Sequence, residues 1–267
     1  GVGWCEKLEI DYIKIASVSA NDYPLIAKIG SSKKPVVAST GGLRQEEIDK
    51  LVFSLRGKVP KLFLMHCVSI YPCPEELLNL NQILNFRERY YQLPVGFSTH
   101  ENPASLIPVT IATSLGATIF ERHVGIPTSK YPLNTYSSTP EQIEQWILAQ
   151  NHAMLVLGNK ERSPAPAEET ETLRGLKRGI YVNRQVNEGE LINESDVYFA
   201  FPLDGDDHFF AGQVSFPSRS SARIEKDRPL TRSNVEKLSN PTLVMNQIIL
   251  QAKGLLAEAR IHFNGDA

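Results

Sequence analysis

The sequence predicts an α/β fold built on a parallel sheet, followed by a smaller β-rich module. Three observations predict it. Short apolar runs recur up to about residue 160, and each ends in small polar residues or a histidine. A helix-like stretch follows each run. From about Ser163 the texture changes to short β-like runs separated by turn residues. Near-continuous apolar runs suit strands buried on both faces, as in a parallel sheet, and such strands need crossover helices between them.

The elements follow in order. The strand candidates are Tyr12–Ser17, Pro35–Thr40, Leu62–Cys67, Pro94–Ser98 and Ala117–Glu121. Asn102-Pro103 is expected to open a helix, with Asn as cap and Pro at the first helical position, and Gly116 to stop it. Thr139-Pro140-Glu141-Gln142 opens the next helix in the same way. Residues 161–177, with Ser163-Pro164-Ala165-Pro166 and Glu168, Glu169 and Glu171, read as an exposed linker. Residues 178–236 carry the runs Gly179–Val182, Val197–Ala200 and Ala222–Ile224, with turns at Glu188-Gly189 and Lys226-Asp227. Residues 237–267 are expected as a helical extension, opened by Asn240-Pro241, with a strand start at Arg260–Phe263.

Composition narrows the function. The chain has 267 residues, 42 % of them hydrophobic, so a sizeable core can be buried. A net charge of −2 with interspersed signs argues against a nucleic-acid or polyanion binder. Cys5, Cys67 and Cys73 form no CxxC pair, so neither a zinc ribbon nor a disulfide framework is indicated, and three scattered cysteines fit a reducing cytosol. No apolar stretch is long enough to span a bilayer. The opening Gly1-Val2-Gly3-Trp4 lacks an initiator Met, so the chain is expected to start inside a longer protein.

Chemistry is expected at the strand ends, because the C-terminal ends of parallel strands converge on one face. His100 and His123 lie just past successive strands, and two imidazoles there suit a divalent metal such as Mn²⁺, Fe²⁺ or Zn²⁺. The alternative is that each bonds a loop carbonyl. Lys14 sits between Ile13 and Ile15, and a buried ammonium needs a partner. A bound phosphate or carboxylate would serve, as would a core carboxylate or escape to the surface. Ser17, Ser39, Thr40, Ser98 and Thr99 recur at the same point of successive units, which suits anion binding or helix capping. His66 and Cys67 are strand neighbours and point to opposite faces, which argues against a Cys–His pair.

These residues resemble the sialic acid (N-acetylneuraminate) synthase family. Lys14-Ile15-Ala16-Ser17 is similar to its lysine–serine strand, and Pro35–Gly41 to its next strand. Met65-His66-Cys67 with Tyr71-Pro72 resembles its His-Cys…Tyr-Pro segment. Gly96-Phe97-Ser98-Thr99-His100 and Glu121-Arg122-His123 resemble its two histidine-bearing strand ends. Val186–Glu190 and Ile224–Thr231 resemble its C-terminal antifreeze-like (SAF) domain.

The resemblance implies a TIM barrel over residues 1–160, of which the first three strands would precede this chain, and a β-clip SAF domain over 178–236. It implies condensation of phosphoenolpyruvate with an N-acyl aldose, giving a sialic-type nonulosonic acid and phosphate, in surface or spore-coat polysaccharide biosynthesis. Lys14, Ser17, Ser39 and Ser98 would bind phosphoenolpyruvate. His100 and His123 would hold Mn²⁺, or Mg²⁺ or Co²⁺, and Tyr71 would lie beside the substrates. A cytoplasmic homodimer is the implied assembly. The sugar region departs from the family pattern: Ser19 and Ser69 replace an acid and an amide, Leu133 replaces an acid, and Phe201 stands where the SAF domain offers an arginine. In this the chain is more similar to the spore-coat members. The lost sugar ligands leave a second expectation, a non-catalytic homologue that binds anion or sugar or serves in assembly.

Overall fold

The computed structural model describes residues 1–201, 203, 205–236 and 248–255. The chain forms two compact units, Gly1–Glu161 and Arg162–Ala267.

The first unit holds one sheet of five parallel strands in sequential order: β1 (Ile13–Ile15), β2 (Val36–Ser39), β3 (Leu62–Cys67), β4 (Val95–Thr99) and β5 (Ile119–Arg122). A short helix, α1 (Val2–Lys7), precedes the sheet. The helices α2 (Tyr23–Ser31), α3 (Gln45–Leu55), α4 (Gln82–Arg89) and α5 (Ile107–Ser114) make the crossovers, and α6 (Pro140–Leu157) follows β5. Local chemistry sets the helix starts. Asp22 Oδ1 accepts from the Leu25 N–H at 3.2 Å, opening α2. Thr139 caps α6 where the sequence predicts its start, and with Gln142 it forms a reciprocal capping box. On α3, Ile48, Leu51, Val52 and Leu55 are buried at the helical spacing of an apolar stripe.

Strand alternation divides the sheet into two faces. Ile13, Ile15, Val36, Ala38, Leu62, Leu64, Val95 and Phe97 face the helices and form the core with them. The other face is concave and layered by the register. Lys14, Val37 and Phe63 share one row; Ser39, Met65, Gly96 and Ile119 the next; Cys67, Ser98 and Glu121 the next. The curl is strong. Laid flat, five strands would set β1 and β5 about 19 Å apart, yet Lys14 on β1 and Glu121 on β5 meet at 3.2 Å. The sheet is therefore a half-barrel. Its lower, largely apolar part, with Val37, Phe63, Met65 and Ile119, lines a cavity of about 460 Å³.

One helix start differs from expectation. Asn102 caps a turn, its Oδ1 accepting from Ala104 N–H at 3.0 Å, and α5 begins only at Ile107. Pro108 sits in the first turn of that helix, where its missing N–H costs nothing. Gly116 does end the segment, at φ 89°.

In the second unit, residues expected as linker are largely exposed, but Ala167–Gly175 coil into a helix, α7. Glu168 and Glu169 in its first turn and Arg174 in its last suit the helix dipole, which an unstructured linker reading overlooked. Beyond it, β6 (Gly179–Val182) pairs antiparallel with β8 (Val197–Ala200). The strand β9 (Ser218–Ser220) lies between β7 (Leu191–Ile192) and β10 (Val235–Glu236). Ile180, Val182, Val186, Ile192 and Leu230 form its core. The run at Ala222–Ile224 makes only a single bridge, from Ile224 to Val186. Of the helix expected over 240–259, residues 248–255 are described and helical, with Ile248 and Leu255 exposed. Its opening at Asn240-Pro241 and the strand expected at 260–263 lie outside the described residues.

Candidate functional site

The upper rows of the concave face are polar, and they converge. Lys14, Ser17, Ser39, Tyr71, Ser98, His100 and His123 line one cavity of about 280 Å³ at the C-terminal strand ends. Cys67, Thr99 and Glu121 complete its walls. Ser19 and Ser69 do not line it. The apolar cavity below is larger, but the chemistry-bearing groups sit in this upper one.

Each side chain is placed by its strand. Lys14 Nζ donates to the Ile15 carbonyl at 3.1 Å and approaches Glu121 Oε2 at 3.2 Å. The second contact is an ion pair by distance; the carboxylate oxygen is buried and makes no aligned hydrogen bond. Of the pairings open for Lys14 from sequence, the structure therefore shows the carboxylate. Ser17 Oγ accepts from the Gly41 N–H at 2.9 Å, and its own O–H remains a free donor. Gly41 has to be glycine for this approach, since a Cβ there would fall against Ser69 Oγ and lie 2.9 Å from Ser17 Oγ and 3.2 Å from Cys67 Sγ. Ser39 Oγ and Thr99 Oγ1 are buried without a hydrogen-bond partner. Buried hydroxyls without partners are uncommon, and that of Ser39, on the concave face, meets a cavity that can hold an oxygen-rich ligand. Thr40, by contrast, is spent on structure: its hydroxyl donates to the Met65 carbonyl at 2.9 Å.

The two histidines stand side by side. His100 is buried, and its Nδ1 lies 3.0 Å from the Val68 carbonyl. A carbonyl only accepts, so Nδ1 carries the proton and the neutral ring keeps its lone pair on Nε2. His123 is exposed at the rim, its ring centroid 5.3 Å from that of His100. Burial lowers the pKa of both imidazoles, and for His123 the neighbouring His100 adds to the effect. Two neutral imidazoles, one fixed by a carbonyl behind it, suit two nitrogen positions of a divalent metal. Among the described residues no group of three or more His, Cys, Asp or Glu side chains is arranged to hold one. The remaining positions would fall to water or substrate oxygens.

Several residues here escaped the sequence reading. Tyr136, on the loop after β5, packs its ring 5.1 Å from His123 and 5.3 Å from Tyr71. Tyr71 in turn lies 4.1 Å from His100, so four rings form a group at the mouth. No periodicity marks a loop tyrosine. Glu121 had a signal: it lies two residues before His123 and so shares its face. Glu101 and Arg122 form a fully buried ion pair behind the histidines. His66 stands apart, as strand alternation predicts. Its Nε2 is 2.7 Å from the Leu78 carbonyl, and its ring packs between Phe86 and Phe97.

A curled parallel sheet with a lysine, hydroxyls and paired imidazoles at its C-terminal strand ends defines a barrel-type α/β protein with a polar cavity at its mouth. The NeuB family profile matches residues 1–162, and the chain belongs to that family. The crystal structure of a protein named spore coat polysaccharide biosynthesis protein E, from Chromobacterium violaceum, superposes with a TM-score of 0.84 at 39 % identity, covering 88 % of this chain and 70 % of that one. Pseudaminic acid synthase of Campylobacter jejuni is 30 % identical over 194 residues, 72 % of this chain and 55 % of its own. N,N'-diacetyllegionaminic acid synthase of Legionella pneumophila is 32 % identical over 146 residues, 54 % of this chain and 40 % of its own. The chain spans about half the length of the curated relatives it matches.

Proposed function

We propose that this chain carries the catalytic strand ends of a phosphoenolpyruvate-dependent sugar-acid synthase, which joins phosphoenolpyruvate to an N-acyl aldose and releases phosphate. The observation that carries the reading is the convergence of Lys14, Ser17, Ser39, Ser98, His100 and His123 on one cavity. Membership of a family whose relatives are named as pseudaminic and legionaminic acid synthases supports the reaction class.

In this reading Lys14 exchanges Glu121 for the phosphate or carboxylate of phosphoenolpyruvate. The free hydroxyls of Ser17, Ser39 and Ser98 donate to the same anion. His100 and His123 would hold a divalent metal, Mn²⁺ by preference, which supplies Lewis-acid polarisation of the acceptor's aldehyde. The new C–C bond joins the enol carbon to that aldehyde carbon. Water adds at the former enol-ether carbon, and the C–O bond to phosphate breaks. Lys14 and the hydroxyls then carry the charge of the departing phosphate in fixed positions, so little reorganisation is needed. Tyr71 and Tyr136 offer rings to the acceptor at the rim. We read residues 178–236 as the antifreeze-like domain and the assembly as a homodimer, on the family resemblance.

The test is metal content and phosphoenolpyruvate binding of the intact protein and of the His100→Ala, His123→Ala double variant. Binding of both by the intact protein, with metal lost in the variant, sustains the proposal. Binding of neither makes this a synthase-like scaffold with another use, a reading that the loss of sugar-region acids at positions 19 and 133 favours. Phosphate release with a panel of aldoses separates catalysis from binding.

A further inference from the structure

Beyond the sheet, ladder hydrogen bonds no longer fix the chain. The last register pair between β4 and β5 is Thr99 with Arg122, and His100 and His123 are the next residues on each strand. Each is anchored on its own side. The His100 carbonyl accepts from Cys73 N–H at 2.9 Å, and its ring from behind is held by the Val68 carbonyl. The His123 carbonyl accepts from Ser138 N–H at 2.9 Å. What joins the two sides is Arg122. Its Nη1 donates to Glu101 Oε1 at 2.5 Å, its Nη2 to the Glu101 carbonyl at 3.1 Å, and its Nε to Ser138 Oγ at 2.6 Å. Ser138 thus holds the His123 backbone with one group and Arg122 with another.

We infer that Glu101, Arg122 and Ser138 form a clamp that sets the spacing of His100 and His123. Both charged side chains are 0 % exposed, and Glu101 Oε2 has no hydrogen-bond partner. Burying two charges costs several times what a surface pair costs, and an apolar pair of similar volume is often as stable. Stability therefore explains this pair poorly. Geometry explains it: the guanidinium fork fixes direction at three points, which apolar packing does not do. The indole of Trp146 lies 5.8 Å from the guanidinium carbon and backs it from α6. These are positioning residues; they need touch neither substrate nor metal. The importance given to the spacing rests on the proposed function, but the clamp itself rests on the contacts alone.

The test uses the intact protein with Ser138→Ala, which removes one tether and leaves the buried pair whole, Ser138→Thr, which keeps the hydroxyl, and Arg122→Lys. Two readouts are needed. The first is the ring-to-ring NOE between His100 and His123 in metal-free protein, with a thermal melt to confirm folding. The clamp predicts that the NOE weakens in Ser138→Ala, more so in Arg122→Lys, and is kept in Ser138→Thr. The second is Co²⁺ affinity, expected to fall about tenfold or more in Ser138→Ala and to recover in Ser138→Thr. A merely structural tether would lower the melting temperature and leave both readouts unchanged. An NOE equal in all folded variants, or absent from the unaltered protein, overturns the clamp. If the NOE responds as expected while the unaltered protein binds no Co²⁺, the clamp stands and the metal reading falls.

Discussion

Replacing Gly96 by alanine tests the layered half-barrel directly. Gly96 lies mid-strand in β4, where glycine normally weakens a strand. Alanine would bring a gain of about 0.5–1 kcal/mol from reduced backbone freedom in the unfolded chain and about 0.8 kcal/mol from one buried carbon. The space does not allow it. An added Cβ would fall against Met65 Sδ and 2.5 Å from the backbone oxygen of Ile119. Met65 borders the cavity below and can swing aside; the Ile119 carbonyl belongs to the neighbouring strand and cannot move alone. Overpacking of this kind costs about 1–3 kcal/mol, more where backbone must shift. Taking the clash near the top of that range and subtracting the gains leaves a net loss of about 1–2 kcal/mol. For a chain of this size that is a fall of about 2–8 °C in melting temperature. The assay is reversible thermal unfolding by circular dichroism, with Gly96→Ser as a second probe. A melting temperature equal to or above that of the parent would refute the layering, because β4 and β5 would then not pack at this separation.

The buried histidines give a pH dependence. Burial lowers the pKa of His66 and His100 from 6.5. As pH falls below that value the unfolded chain takes up protons that the folded chain resists. Stability is therefore full above about pH 6.5 and is lost as pH falls through the folded values, at about 1.4 kcal/mol per unit of pH for each group. Melting temperatures measured from about pH 7.5 down to pH 5 should fall, and His66→Phe, which removes the most enclosed ring, should flatten the slope. Gly41→Ala should weaken phosphoenolpyruvate binding about tenfold or more with a smaller effect on stability, because it crowds Ser69 Oγ and displaces the Ser17 hydroxyl beside it; isothermal titration checks this, and affinity unchanged in both Gly41→Ala and Ser17→Ala would remove Ser17 from the anion site. Lys14→Met should abolish that binding, whereas Ser19→Ala should leave it unaltered, since Ser19 lies outside the cavity.

The strand set was legible because parallel strands covered on both faces leave continuous apolar runs, and each run located from sequence overlaps one of β1 to β5, with β4 and β5 each reaching one residue further. The gathering of Ser39, Ser98 and the two histidines followed from the rule that strand ends converge. The start of α5 was misplaced because Asn-Pro serves a turn as well as a helix, and α7 was missed because prolines and glutamates mark exposed helices and linkers alike.

The sequence by itself determined the five parallel strands, their order and the family, since these are written in local periodicity and ordered motifs. Only tertiary structure decided what meets across the sheet. Curl depends on the packing of every layer, so the meeting of Lys14 with Glu121, the ring group completed by Tyr136 and the clamp between Glu101, Arg122 and Ser138 have no local signature. Each joins residues at least 13 positions apart, and their contacts exist because the sheet curls and the loops fold over its end.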